Sequence, residues 1–130
     1  MAAELKSVFQ SLRGILVRKA GSLLVADDTA TRYCLGGRVG PATVRAWGGK
    51  RKRETIPVAW VEIGRSYVSF HLMSVYGDPK SREGLSKELR QRMQGKACFN
   101  FNHGNEALFQ ELEELTSRGL EAFRNAGFIQ

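Results

Sequence analysis

Cysteine and histidine are scarce in this sequence. Cys34 and Cys98 are the only cysteines, and with His71 and His103 they fall at no metal-ligand spacing. That pattern excludes a zinc-finger or disulfide scaffold. A chain of 130 residues can bury a core without covalent staples, so buried free thiols are expected. Long apolar runs are also missing. Nothing approaches the roughly 20 apolar residues of a membrane span, and the start, Met1-Ala2-Ala3-Glu4-Leu5-Lys6, is not followed by a signal-peptide core. A soluble, cytoplasmic chain with no membrane partner is expected. The signatures of a serine-hydrolase elbow, a phosphate loop, a paired-histidine zinc site and a dinucleotide site are all missing. No catalytic constellation is readable, and no cofactor or resident metal is expected.

Acidic residues are the scarcer charge. Thirteen Asp and Glu stand against twenty Lys and Arg, a formal net charge of +7 with a sequence pI near 9.9. Residues 1–57 carry 11 basic against 4 acidic residues, whereas 105–130 carry 2 against 5. The excess is therefore regional. Hydrophobic residues make up 42%, which excludes wholesale disorder, and the length fits one domain over 1–130.

Leu5, Val8, Phe9, Leu12, Ile15 and Leu16 recur at helical spacing, with Gly21 as a stop. Short β-branched and aromatic runs follow. Leu23–Ala26 ends at a turn over Asp27-Asp28, Thr31–Leu35 at Gly36-Gly37, and Thr43–Trp47 at Gly48-Gly49. A hairpin is expected from Ile56–Ile63 to Tyr67–Met73 across Gly64-Arg65-Ser66. In its second arm Val68, Phe70 and Leu72 share one face, and Tyr67, Ser69, His71 and Met73 the other. Ser86 can cap a helix carrying Leu89 and Met93 that ends at Gly95. Ala97–Asn102 alternates as a strand, and Asn105 can cap a last helix with Leu108, Phe109, Leu112, Leu115, Leu120 and Phe123 on one side. The order predicts an α+β domain, a twisted antiparallel sheet of five or six strands packed on helices. Its expected core is Leu12, Leu16, Val58, Val61, Val68, Phe70, Leu72, Leu89, Phe99, Leu108, Leu112 and Leu115.

Chemistry-bearing residues form three groups. Lys50-Arg51-Lys52-Arg53 cannot all neutralise one another, so this loop attracts anions. It reads as a small-anion or nucleic-acid contact, or as a solvated loop. Tyr67, Ser69 and His71 place polar and aromatic groups on the second side of the sheet. With Trp60, Cys98 or Asn100 beside them, they can line a pocket. His71 there is an acid, base or ligand, or a hydrogen-bonded structural residue, and a Cys98–His71 nucleophile pair needs hydrogen-bond reach. Glu111, Glu113 and Glu114, with Glu106 and Glu121, form either a cation-attracting or a solvated helix face.

The stretches Tyr67–Tyr76, Gly84-Leu85-Ser86 and Arg92–Phe101 resemble the YdhG-like family of small domains of unknown function, over roughly Thr55 to Phe128. The resemblance implies an α+β fold with a curved antiparallel sheet on helices. One branch is described as a frataxin-like iron chaperone, which implies metal handling. No functional residue is carried over from the family.

Three functions stand open from the sequence. The first is a non-enzymatic binding module for an anionic or aromatic small ligand, held by Tyr67, Ser69, His71, Trp60 and Asn100 with its mouth framed by Lys50, Arg51, Lys52 and Arg53. The second is nucleic-acid binding through that basic loop. The third is iron handling through Glu111, Glu114 and their neighbours. The chain is read as a monomer or a homodimer.

Overall fold

The computed structural model describes residues 2–130, and the side chains of all of these except Ala2, Tyr76, Gly77 and Pro79. The first helix, α1, runs Ala2–Lys19 and carries Arg18 and Lys19 in its last turn, where the helix dipole favours cations. Strands β1 (Leu24–Asp28), β2 (Arg32–Arg38), β3 (Thr55–Ile63) and β4 (Val68–Leu72) follow, with a short helix α2 (Pro41–Ala46) between β2 and β3. The chain leaves the sheet through α3 (Met73–Gly77), a 3-10 turn (Pro79–Arg82) and α4 (Lys87–Gln91). It returns as the hairpin β5 (Met93–Gln94) and β6 (Cys98–Phe101) and closes with α5 (Glu106–Asn125). The six strands lie in the order β1-β2-β3-β4-β6-β5, and every neighbouring pair is antiparallel. This is the α+β architecture the sequence implies, with six strands.

One face of the sheet and both long helices share the main core. Phe9, Leu12 and Leu16 of α1 and Leu108, Leu112 and Leu115 of α5 pack with Leu35, Val61, Phe70, Leu72, Phe99 and Phe101. All twelve core residues expected from the sequence are buried. The caps also hold. Ser86 Oγ accepts from the Leu89 N–H at 3.1 Å, and Asn105 Oδ1 accepts from the Leu108 N–H at 3.0 Å.

An irregularity in β3 sets the phase of the sheet. Leu35 opposes Ala59 but Gly36 opposes Pro57, so Val58 is an extra residue in the pairing. Ile56 and Val58 can then face the same helical layer as Ala59 and Val61. Val58 joins a second cluster with Leu120 and Ile129, against which Ile56, Leu23 and Phe123 pack. Beyond the bulge, Trp60 and Glu62 point to the opposite face.

Several expected elements are different. Thr43–Trp47 is not a strand, because Pro41 at the helix start pre-sets a helical turn and the residues form α2. Gly36 and Gly37 do not end β2; the strand continues to Arg38. A Cβ on Gly37 would fall 2.7 Å from Ile129 Cγ2, so glycine here lets the C-terminal segment lie against the sheet. That segment is tied down by the Val39–Ile129 bridge, the Gln130 N–H to Arg38 oxygen bond at 2.9 Å and the Thr43 hydroxyl to Phe128 oxygen bond at 2.7 Å. Asp27 and Asp28 belong to β1 and pair with Arg32 and Arg13; the turn lies one step later, where Thr29 Oγ1 accepts from the Thr31 and Arg32 N–H groups. Met73 opens α3 rather than extending β4, and Met93 belongs to β5, so Gly95 serves the β5–β6 hairpin.

Phe70 and Phe99 face each other across β4 and β6 at the centre of the core. Replacing either by Ala is expected to cost about 3–5 kcal/mol in a urea melt. Losses below about 1 kcal/mol for both would place these rings outside the core.

Candidate functional site

The face of the sheet turned away from the long helices is built by strand alternation. Cross-strand pairing sets Cys34, Trp60, His71, Cys98 and Gln94 in one row across β2, β3, β4, β6 and β5. The adjacent row is Arg32, Glu62, Ser69 and Asn100. Trp60, Ser69, His71, Cys98 and Asn100 are half-buried, and Glu62 is exposed. The inward positions between them are Phe70, Val61 and Phe99, so a one-residue change of phase would exchange the two sets.

Trp60 and His71 stack, with ring centroids 4.7 Å apart and planes 11° from parallel. On the other side of His71, the Cys98 sulfur lies 3.8 Å from Nε2. A polar chain continues from there. Ser69 Oγ donates to Asn100 Oδ1 at 2.9 Å, the Cys98 thiol reaches the same oxygen at 3.3 Å, and Asn100 Nδ2 donates to Gln94 Oε1 at 2.7 Å. The Asn100 amide is thereby spent on holding Ser69 and Cys98 in place. Beside this network runs a shallow groove of ≈ 480 Å³ along the β3–β4 turn, lined by Ser69, His71, Tyr67, Arg65, Ser66 and Glu62 among others. Tyr67 is 42% exposed. Glu62 pairs with Arg32 at 3.6 Å, whereas Arg65 has no ion pair among the described residues.

The structure thus brings Tyr67, Ser69 and His71 onto one groove, stacks Trp60 behind His71, and sets Asn100 behind Ser69. It does not bring Lys50, Arg51, Lys52 and Arg53 to the mouth. These residues precede Thr55, at the end of β3 that pairs with Arg38, while the groove lies at the other end, where Ile63 pairs with Val68. The eight steps between Thr55 and Ile63 span about 26 Å. All four loop residues are exposed; Arg53 lies over the Trp47 ring at 5.6 Å and Arg51 pairs with Glu54 at 3.3 Å. The cation at the groove is Arg65, a turn residue that a search for charge runs passes over because it stands alone.

The acidic helix face is also engaged. Glu113 accepts two bonds from Arg18, at 2.6 and 3.0 Å, and lies 3.6 Å from Lys19. The bonds from Arg18 hold its carboxyl below the usual range. Glu111 accepts from the Ser86 N–H at 2.7 Å and hydroxyl at 2.6 Å. Among the described residues, no group of three or more His, Cys, Asp or Glu side chains is placed to hold a metal ion.

Burial sets the protonation of the outer row. It holds the His71 imidazole below its usual value, with Glu62 partly opposing and Arg32 adding to the effect. It pushes both thiols up, Cys98 beside His71 and Cys34 beside Arg32. A thiolate–imidazolium pair requires the reverse of both shifts. Neither shift favours a thiolate–imidazolium pair between Cys98 and His71. Among the described residues no helix is long and apolar enough to cross a membrane. Comparison with protein-family models, curated proteins and solved structures finds no match, so the functional reading rests on this geometry.

Two measurements follow from the protonation states. Because the His71 pKa is lowered on folding, the unfolded chain binds the extra proton as pH falls through about 6.5. The fold keeps its full stability above that pH and loses stability below it. Urea melts are expected to show a smaller loss between about pH 7.5 and about pH 5.5 for His71→Gln than for the unchanged chain, and equal losses would contradict the shift. Cys34 and Cys98 should both alkylate more slowly than free cysteine at neutral pH in the folded protein. Rapid labelling of Cys98 would mean that its thiol is activated.

Proposed function

We propose that this protein is a non-enzymatic binding module whose outer sheet face takes a planar, anionic small molecule in the groove beside Tyr67, Ser69 and His71. The observation that carries this reading is the coincidence of aromatic walls, an unpaired guanidinium and a fixed polar group in one groove. Tyr67 gives a ring a surface to lie against, with the edge of the His71 imidazole beside it, and such stacking is worth about 1–3 kcal/mol per base-sized ring. Arg65 supplies a planar donor fork suited to a carboxylate or phosphate. Ser69 Oγ, already donating to Asn100, offers its lone pairs to a ligand N–H or O–H. The groove is within the size range of small-molecule sites.

The groove is largely organised before a ligand arrives. Trp60 fixes the plane of His71, and Asn100 with Gln94 fixes Ser69, so little ordering remains to oppose binding. The Lys50–Arg53 loop, about 26 Å away along β3, takes no part in holding the same small ligand.

Calorimetry with a panel of planar anions led by adenosine 5′-monophosphate tests the reading. Saturable binding is expected, with Tyr67→Ala and Arg65→Gln each weakening it about tenfold or more, equivalent to about 1.4 kcal/mol. Neutralising Lys50, Arg51, Lys52 and Arg53 together should leave the affinity unchanged. No heat above buffer for the whole panel would overturn the reading. So would equal binding of ribose 5-phosphate, which lacks the planar aromatic base.

A further inference from the structure

We propose a second ligand site, on the opposite side of the molecule from the outer sheet face, for a small amphipathic carboxylate with an unbranched apolar body. It is the ≈ 450 Å³ pocket between the segment Ser74–Ser81 and the C-terminal half of α5. Its wall includes the stacked pair Phe123 and Phe128, with centroids 5.0 Å apart, and the methyl of Ala122 one step away on the helix. Phe123 and Phe128 remain partly exposed, although Phe123 continues the apolar side of the last helix.

The observation that points to a ligand is Ser74. Its side chain is buried, with the residue only 5% exposed, and its hydroxyl has no hydrogen-bond partner among the described residues. Leaving such a group buried and unpaired is destabilising. Gly119 creates the space for it, since a Cβ there would overlap Ser74 Oγ. Ser74 and Gly119 both line the pocket, so the unpaired hydroxyl sits at its apolar wall. A ligand oxygen entering here would satisfy it.

Charge at the rim selects the sign of the ligand. Lys80 and Arg118 line the pocket, and neither has an ion pair among the described residues. The one carboxylate present, Asp78, already accepts from the Lys80 backbone N–H at 3.1 Å. The rim therefore carries a net positive charge over an apolar wall. A carboxylate with a short hydrocarbon body matches both features, and a cationic amphiphile matches only one.

Octanoate is the probe, followed by ¹H–¹⁵N NMR on the full chain, with octanol and octylamine as controls. Saturable shifts are expected at the amides of Ser74, Gly119, Phe123 and Phe128, with octanol at least tenfold weaker and octylamine without effect. Joint Lys80→Glu and Arg118→Glu substitution should weaken octanoate at least tenfold. Ala122→Trp, at an exposed helix position, should block binding while the spectrum stays that of a folded protein. Ser74→Ala separates a ligand role from a structural one: it should weaken octanoate yet leave the melting temperature equal or higher. A lower melting temperature for Ser74→Ala with unchanged octanoate affinity would overturn the proposal. So would octanol binding as well as octanoate, indifference to the double charge reversal, or shifts confined to Tyr67, Ser69 and His71.

Discussion

The outer face of this protein exists because Val68, Phe70 and Leu72 must face the helices. All three are fully buried, and they alternate with Ser69 and His71 along β4. Each such burial contributes roughly 1.5–3 kcal/mol. A one-residue slip would expel all three and drive an imidazole and a hydroxyl into the core. Phe99 and Phe101 impose the same phase on β6, and so place Cys98 and Asn100 beside His71 and Ser69. The groove, the Trp60–His71 stack and the Asn100 network all follow from that phase.

Much of the fold was legible in the sequence because the longest elements carry strong periodicity. Leu5 to Leu16 and Leu108 to Leu120 repeat at helical spacing over several turns, and Ser86 and Asn105 announce their helices. The face assignment of Tyr67, Ser69 and His71 was readable from alternation alone. The misread segments are those where a local preference competes with tertiary contact. Thr43-Val44 looks like strand, yet Pro41 and the bond from Thr43 to Phe128 organise a helix there. Gly36-Gly37 looks like a turn, yet the strand runs through both and Gly37 lets Ile129 pack against it. The extra residue at Val58 leaves no mark in the alternation beyond two adjacent apolar residues.

The candidate site was legible only in part. Composition drew attention to Lys50–Arg53, because four adjacent cations dominate any charge count. Position along a strand is a long-range property, and the pairing of Arg38 with Thr55 carries that loop away from the groove. Arg65 stands alone in a turn, and pairing Ile63 with Val68 is what delivers it to Tyr67 and Ser69. Ser74 and Gly119 lie far apart in sequence, so their contact required the packing of α3 on α5 to become visible. The net charge of +7 is therefore not one patch: Lys50–Arg53 form a distant basic loop, whereas Arg65 lines the groove and Lys80 and Arg118 line the second pocket.

The most direct measurement is of ring-to-ring proximity in the bound state. Intermolecular nuclear Overhauser effects between adenine protons of bound adenosine 5′-monophosphate and the protein are expected at the Tyr67 and His71 ring protons. The Trp47 ring, beside the basic loop, should show none. Cross-peaks to Trp47 with none to Tyr67 or His71 would contradict a site on the outer sheet face.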